Sequence, residues 1–148
     1  MNTSHTYEVN LQWKELRKGT ISSPVLNSSI EVATPPEFPN GIPGIWSPEH
    51  LFTAAVNSCF MTTFLSIAEN SKLEFSEFTC NAKGKLDKVD GKFLMTEIIL
   101  EPTLMIHDES QKERAEKILQ KSEAACLISN SIKSSVSLNP IINIAIKI

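Results

Sequence analysis

One apolar run, SPEHLFTAAVNSCFMTTFLSIAEN at positions 47–70, constrains the fold of this chain more than any other feature. Ser47 is a favourable N-cap, Pro48 suits the first helical position, and Glu49 lies where the helix dipole favours an acid. Apolar side chains then cover nearly all sides, which predicts a long helix that is buried on most of its surface. Because a single chain of 148 residues has little material to cover such a helix, the run favours a dimer.

The same helix must be weighed as a membrane span. The segment 51–68 has about the required length of roughly 18 to 20 residues. Asn57, Ser58 and several Ser or Thr neighbours interrupt its apolar character, so burial in a protein core is the better interpretation. No membrane partner is expected.

Composition limits the partners and the compartment. The net charge is -3, and the basic residues are mixed with acidic ones, which argues against nucleic acid as a partner. Three cysteines without tight spacing, and no signal peptide, favour a reducing, cytoplasmic setting.

Periodicity and turn signals predict an α+β protein with the element order βββ-α-ββ-α-β, in a single domain over residues 1–148. The loop TPPEFPNGIPGIW is too rich in proline for a helix or an inner strand. Asp90-Gly91 predicts a hairpin turn, and Asp108 with Gln111 predicts the start of the second helix. The predicted strands are 6–13, 18–23, 28–33, 74–86, 92–104 and a last one in NPIINIAIKI, where Ile142, Ile144, Ile146 and Ile148 share one side.

Two of the three cysteines, Cys59 and Cys126, fall on the buried faces of the two helices. If those helices pack together, the two thiols come within disulfide reach. Taken alone, each cysteine is interpreted as a small buried hydrophobic residue. Cys80 lies in a predicted strand and is interpreted as structural. His50 and His107 lack the spacing of metal ligands, so no metal or other cofactor is expected.

The stretch SPEHLFTAAVNSCF resembles the signature of the OsmC/Ohr family of thiol peroxidases. That family has a helix-opening Pro-Glu-x-Leu segment and, ten residues beyond the Glu, its first cysteine followed by an apolar residue. The residues that match this pattern are Pro48, Glu49, Leu51, Cys59 and Phe60. The stretch EAACLISNSI matches the context of the second family cysteine, with Cys126 and Ser129.

The resemblance implies a cysteine-based peroxidase that reduces organic hydroperoxides. Cys59 would become a sulfenic acid, Cys126 would resolve it to an intramolecular disulfide, and a dithiol such as a lipoylated protein would reduce that disulfide. The family forms intertwined homodimers with two sites at the interface, which agrees with the apolar helix.

Activation of Cys59 poses a physical problem, because burial raises the pKa of a thiol and Cys59 lies too far from the helix start for the dipole to lower it. A cation would solve this problem, and the resemblance implies an N-terminal arginine oriented by Glu49. Arg17 is the candidate. The family position falls nearer Leu16, so the placement of Arg17 requires a bulge or a local loop, and Lys18 is a poorer substitute.

Two alternatives remain open. One is a non-enzymatic OsmC-fold protein whose apolar pocket binds a small hydrophobic ligand. The other is a structural dimer with neither turnover nor ligand.

Overall fold

The computed structural model describes residues 3–145. The chain divides into two compact units, one that ends at Leu51 and one that begins at Phe52. The described residues form seven strands and two α-helices, with 3₁₀ turns at Glu109–Gln111 and Ser129–Ser131. Their bounds are β1 Asn10–Glu15, β2 Lys18–Ser22, β3 Ile30–Ala33, α1 Pro48–Asn70, β4 Glu77–Val89, β5 Lys92–Ile106, α2 Lys112–Ala124, β6 Ser135–Leu138 and β7 Ile141–Ile144.

The first unit contains an antiparallel sheet in the order β1-β2-β3. β1 begins at Asn10, four residues later than predicted, because Asn10 pairs with Ser22, the last residue of β2. A register shift between Trp13 and Glu15 precedes the turn that joins β1 to β2. The local irregularity required for the placement of Arg17 is therefore present.

The proline-rich segment 34–46 is a loop, as predicted, and its ends are held together. The backbone N–H of Ala33 donates to Trp46 O at 2.8 Å, and that of Ile42 donates to Thr34 O at 2.9 Å. Ser47 then caps α1, since its Oγ accepts the N–H of His50 at 3.1 Å. The predicted start of α1 is confirmed.

The second unit is built on the long antiparallel hairpin of β4 and β5. Its two-residue turn has positive φ at Asp90 (50°) and Gly91 (80°), as the type I′ turn of an Asp-Gly hairpin requires. The other edge of β5 pairs in parallel with both β6 and β7.

The prediction of a single strand after α2 was wrong, because two strands follow this helix. Pro140 separates β6 from β7, because proline has no N–H to donate to the sheet. Just before it, the N–H of Asn139 donates to Leu100 O at 2.8 Å. Ile142 and Ile144 lie in β7 as predicted. Ile146 and Ile148 lie outside the described residues.

α1 buries one face in this unit, through side chains four residues apart: Val56, Phe60, Phe64 and Ala68. The rings of Phe64 and Phe78 stack with centroids 4.8 Å apart. Met61 and Leu65 on another side remain 39% and 41% exposed. By length and composition alone α1 would suit a membrane span, and 22% of its apolar window is buried within the chain. A single chain thus leaves much of this apolar helix uncovered.

α2 begins four residues later than predicted. Asp108 caps the 3₁₀ turn at Glu109–Gln111 instead, where its carboxylate accepts the N–H of Ser110 at 3.0 Å. Gln111 accepts a hydrogen bond from the Arg114 guanidinium at 3.0 Å and makes no capping box. α2 ends at Ala124, so Cys126 lies in the turn after the helix and not on its inward face.

Candidate active site

The second unit brings Cys59 and Cys126 together, so that the Cys126 side chain lowers the pKa of the Cys59 thiol. Both cysteines are reduced. Cys59 lies mid-way along α1 and is partly exposed, whereas Cys126 is 0% exposed in the turn after α2. The two thiols therefore lie near each other, with one thiol partly exposed and the other enclosed, and their ability to form a disulfide stays a prediction.

The turn after α2 also directs backbone groups at Cys59. Cys126 O accepts the N–H of Asn130 at 3.1 Å, which makes 126–130 a single helical turn. The first N–H groups of such a turn have no partner within it. The backbone groups of Leu127 and Ile128 lie close enough to Cys59 to lower the pKa of its thiol.

Two side chains brace this turn. Asn130 Nδ2 donates to Ala124 O at 3.1 Å, and Ser131 Oγ donates to Leu127 O at 2.8 Å. The amide donors are therefore held in place by contacts on both sides of them.

These donors decide the ionisation of Cys59. Burial by itself raises the pKa of the Cys59 thiol, but the Ile128 amide, the Cys126 thiol, the Thr63 hydroxyl and the Leu127 amide together lower that pKa below its ordinary value of 9.0. Thr63 Oγ1 lies 4.0 Å from Cys59 Sγ, one helical turn along α1. Because amide and hydroxyl donors stabilise a thiolate, lowering this pKa does not require a cation, contrary to the expectation from sequence.

Cys80 has the opposite character. It lies in β4, half-buried, and burial raises the pKa of its thiol to about 11, with a further rise from the charge of Glu101 and a partial offset from the Glu101 backbone. A thiol of this kind is almost wholly protonated near neutral pH. This agrees with the structural role expected for Cys80.

Arg17 and Glu49 lie in the first unit. Arg17 is exposed and follows Leu16, which has a positive φ of 49°, in the turn between β1 and β2. Glu49 lies half-buried in the first turn of α1. Their roles as cation and orienting carboxylate stay predictions.

His50 and His107 are accounted for by local contacts. Ser47 Oγ lies 2.6 Å from His50 Nδ1, and His107 Nδ1 lies 3.3 Å from Ala145 O. Among residues 3–145, no cluster of three or more His, Cys, Asp or Glu side chains is arranged to hold a metal ion.

Sequence reasoning missed Thr63, Leu127 and Ile128. Thr63 carries a weak signal, because it lies four residues after Cys59 on the same helical face. The two amides carry none, since a backbone N–H is present at every residue but proline.

The site is thus a pair of reduced thiols in an α+β fold, one accessible and readily ionised and the other buried beside it. This arrangement defines an α+β protein with a paired-thiol site as the class that the geometry fits.

Comparison with known proteins agrees with this class. Residues 41–140 match the family described as OsmC-like protein. The Bacillus subtilis (strain 168) protein YmaD, itself uncharacterised, is 30% identical over 139 residues, which is 90% of this chain and 91% of YmaD. The chain belongs to the OsmC-like protein family, which includes the OsmC and Ohr proteins.

Solved structures share the fold. An OsmC-like protein of unknown function from Vibrio cholerae superposes with a TM-score of 0.83 at 26% identity, covering 93% of this chain and 100% of that one. An organic hydroperoxide resistance protein OsmC from Legionella pneumophila gives 0.77 at 20% identity, covering 97% and 100%. The predicted α+β fold of the OsmC/Ohr type is confirmed.

Proposed function

We propose that this protein is a thiol-dependent peroxidase that reduces organic hydroperoxides to alcohols in defence against oxidative stress. The observation that supports it most is the pair of neighbouring thiols, in which the accessible member, Cys59, has the lowered pKa. The reactive form of a cysteine is the thiolate, so Cys59 is the nucleophile.

In the first step the Cys59 thiolate attacks one oxygen of the hydroperoxide. An S–O bond forms and the O–O bond breaks. The departing alkoxide takes a proton from water and leaves as the alcohol. Cys59 is oxidised to a sulfenic acid, and the hydroperoxide is reduced.

In the second step Cys126 attacks the sulfur of the sulfenic acid. An S–S bond forms, the S–O bond breaks, and the oxygen leaves as water with the proton of the Cys126 thiol. Capture is rapid because the two thiols already lie near each other, which protects Cys59 from further oxidation to a sulfinic acid. A dithiol then reduces the disulfide and is itself oxidised to a cyclic disulfide. Dihydrolipoamide, free or on a lipoylated protein, has this chemistry.

An apolar surface at the site favours organic hydroperoxides over hydrogen peroxide. Leu127, whose backbone lowers the pKa of Cys59, leaves its side chain 69% exposed. An alkyl or aryl group can bury this surface, whereas hydrogen peroxide cannot.

The proposal extends to a homodimer in the cytoplasm, with neither nucleic acid nor a membrane as partner. The uncovered apolar side chains of α1 and of β1, where Leu11 and Trp13 are both exposed, support a second copy as their cover. Sedimentation equilibrium tests this part, and a monomer at micromolar concentration would contradict it.

Within the dimer, Arg17 is proposed as a cation that further stabilises the thiolate, with Glu49 orienting it. Replacement of Arg17 by Met should then slow peroxide consumption, while replacement of Lys14, an exposed cation of the same unit, should not. Equal rates in both variants would remove Arg17 from the mechanism.

The deciding experiment measures consumption of cumene hydroperoxide by the purified protein with dihydrolipoamide as reductant. Turnover should be rapid in the wild type, vanish in Cys59→Ser, and fall steeply in Cys126→Ser, where the disulfide cannot form. Cys80→Ser is the matched control and should keep full turnover. Equal, slow consumption by wild type and Cys59→Ser would refute the peroxidase.

A second candidate function, binding of a small hydrophobic ligand without catalysis, is favoured by one observation. The first unit contains an open groove of about 310 Å³. It is lined mainly by apolar residues, with Arg17 and Lys18 among them: Leu11, Trp13, Leu16, Arg17, Lys18, Gly19, Val32, Ala33, Thr34 and Pro48. Retention of a fatty acid by the wild type, together with absence of peroxide turnover, would favour this candidate.

A further inference from the structure

The turn that carries the two amide donors also carries a polar group with no assigned role. Ser129 directly follows Ile128, and its Oγ is buried without a hydrogen-bond partner among residues 3–145. A buried hydroxyl without a partner costs free energy, so its presence calls for an explanation.

The neighbouring side chains of the same turn are satisfied. Asn130 and Ser131 both donate to backbone carbonyl groups, as described above. The buried serine of α2, Ser122, donates through its Oγ to Ile118 O at 2.6 Å. Ser129 therefore differs from the polar residues around it.

The position of Ser129 relates its hydroxyl to the thiols. Residues 126–130 form one helical turn, because Cys126 O accepts the N–H of Asn130. Residues three apart on such a turn share a face, so Ser129 lies on the face of Cys126. The Cys126 side chain lies near enough to Cys59 to lower the pKa of its thiol, so we infer that the Ser129 hydroxyl lies on the thiol side of the turn.

The Ser129 hydroxyl is not among the groups that donate to the Cys59 sulfur. It is therefore suited to an oxygen of the incoming hydroperoxide. We propose that Ser129 is a further catalytic residue, whose hydroxyl donates a hydrogen bond to the hydroperoxide oxygen that departs as the alkoxide. This inference rests on the proposed peroxidase function.

The hydrogen bond acts only once the hydroperoxide is in place. As the O–O bond breaks and the S–O bond forms, negative charge develops on the peroxide oxygens, and a fixed donor stabilises it. Ser129 keeps its own proton, the transferred oxygen stays on Cys59 as the sulfenic acid, and the alkoxide takes its proton from water.

Single-turnover oxidation of the reduced protein by cumene hydroperoxide tests this role, beside alkylation of Cys59 by iodoacetamide. Ser129→Ala should slow oxidation by about tenfold or more, the scale of a lost oxyanion donor. Alkylation should keep its rate, since it needs the thiolate but transfers no oxygen. The thermal midpoint should not fall, because the hydroxyl that is removed has no partner.

Two further variants complete the test. Ser129→Thr keeps a hydroxyl and should restore oxidation, and Ser122→Ala, the matched buried serine, should leave both reactions unchanged. If Ser129→Ala oxidises as fast as the wild type, or if its alkylation slows in parallel, Ser129 has no role in oxygen transfer while the peroxidase stands. If the wild type itself fails to react with the hydroperoxide, the proposed function is refuted and the role of Ser129 is refuted with it.

Discussion

Cys59 and Cys80 are both partly buried thiols of the second unit, yet their pKa values are shifted in opposite directions. Burial is the largest single influence on each, and in each it raises the pKa. Hydrogen-bond donors therefore decide the difference. Cys59 has four of them, whereas the main counterweight at Cys80 is the backbone of Glu101, whose carboxylate acts in the opposite sense.

The secondary structure around each thiol explains this contrast. Cys80 pairs with Pro102 in the ladder of β4 and β5, where backbone N–H groups are engaged between the strands. Cys59 faces the start of a helical turn, where the first N–H groups have no partner inside the turn. The two thiols thus differ in pKa because the groups that face them differ in the hydrogen-bond donors they offer.

The largest expected difference between the two thiols is in alkylation. At pH 8 a thiol with a pKa of about 11 is only about 0.1% thiolate, whereas one below 9.0 is at least about 10% thiolate. Iodoacetamide should therefore modify Cys59 at least about 100-fold faster than Cys80. Peptide mass spectrometry after timed quenching measures both rates in one sample.

The same reaction in unfolded protein is the control for intrinsic reactivity. In 8 M urea, or any concentration that unfolds the chain, the two rates should converge to within a fewfold. Comparable rates in the native protein would contradict the opposite pKa shifts.

A smaller effect isolates one donor of Cys59. Thr63→Val removes a hydroxyl 4.0 Å from the sulfur while keeping the β-branched shape. At this distance the bond is weak, and its loss should raise the pKa of Cys59 and slow alkylation near pH 7 by about two- to fivefold, or about 0.5–1 kcal/mol. The pH dependence of alkylation, followed from pH 6 to 10, gives the pKa directly.

Thr62→Val, at the residue directly before Thr63, is the matched control. Its hydroxyl donates to the Cys59 carbonyl at 3.1 Å and not to the sulfur. The variant should keep the pKa of Cys59. An equal shift in both variants would assign the effect to α1 as a whole.

Much of the fold follows from sequence because its signals are local. The N-cap of α1 at Ser47 and the hairpin turn at Asp90-Gly91 each depend on a few adjacent residues. The element bounds that were predicted wrongly, the starts of β1 and α2, depend on interactions beyond the adjacent residues. β1 begins where β2 can pair with it, and Asp108 caps a 3₁₀ turn before α2 begins.

The site divides in the same way. Cys59 and Cys126 could be singled out because thiols are rare and both lie in apolar stretches, although Cys126 lies in the turn after α2 and not on that helix. Activation of Cys59 could not, since it depends on where the chain turns after α2 and on the N–H groups that the turn leaves free. From the identities of the side chains alone, only a charged side chain could be proposed as the group that lowers the pKa of Cys59.

The last expected effect concerns the stability of the fold in alkaline solution. The pKa of Cys80 is raised to about 11 in the folded chain, so between pH 9 and 11 the unfolded chain gives up this proton first. The contribution of Cys80 to the stability of the fold is therefore fully present below pH 9.0, the pKa of its thiol in the unfolded chain. This contribution is lost as the pH rises. The full shift would correspond to roughly 3 kcal/mol, but solvent screening of a half-exposed group reduces it to about 1 kcal/mol.

Urea unfolding of the wild type and Cys80→Ser at pH 8 and pH 10.5 measures this contribution. Other titrating groups change the stability of both proteins alike, and Cys59 adds stability as the pH rises because its pKa is lowered in the folded chain. These changes cancel in the difference between the two proteins. The variant should lose about 1 kcal/mol less than the wild type over this interval. If the two lose equal amounts, Cys80 titrates alike in both states, and its contrast with Cys59 is not one of ionisation.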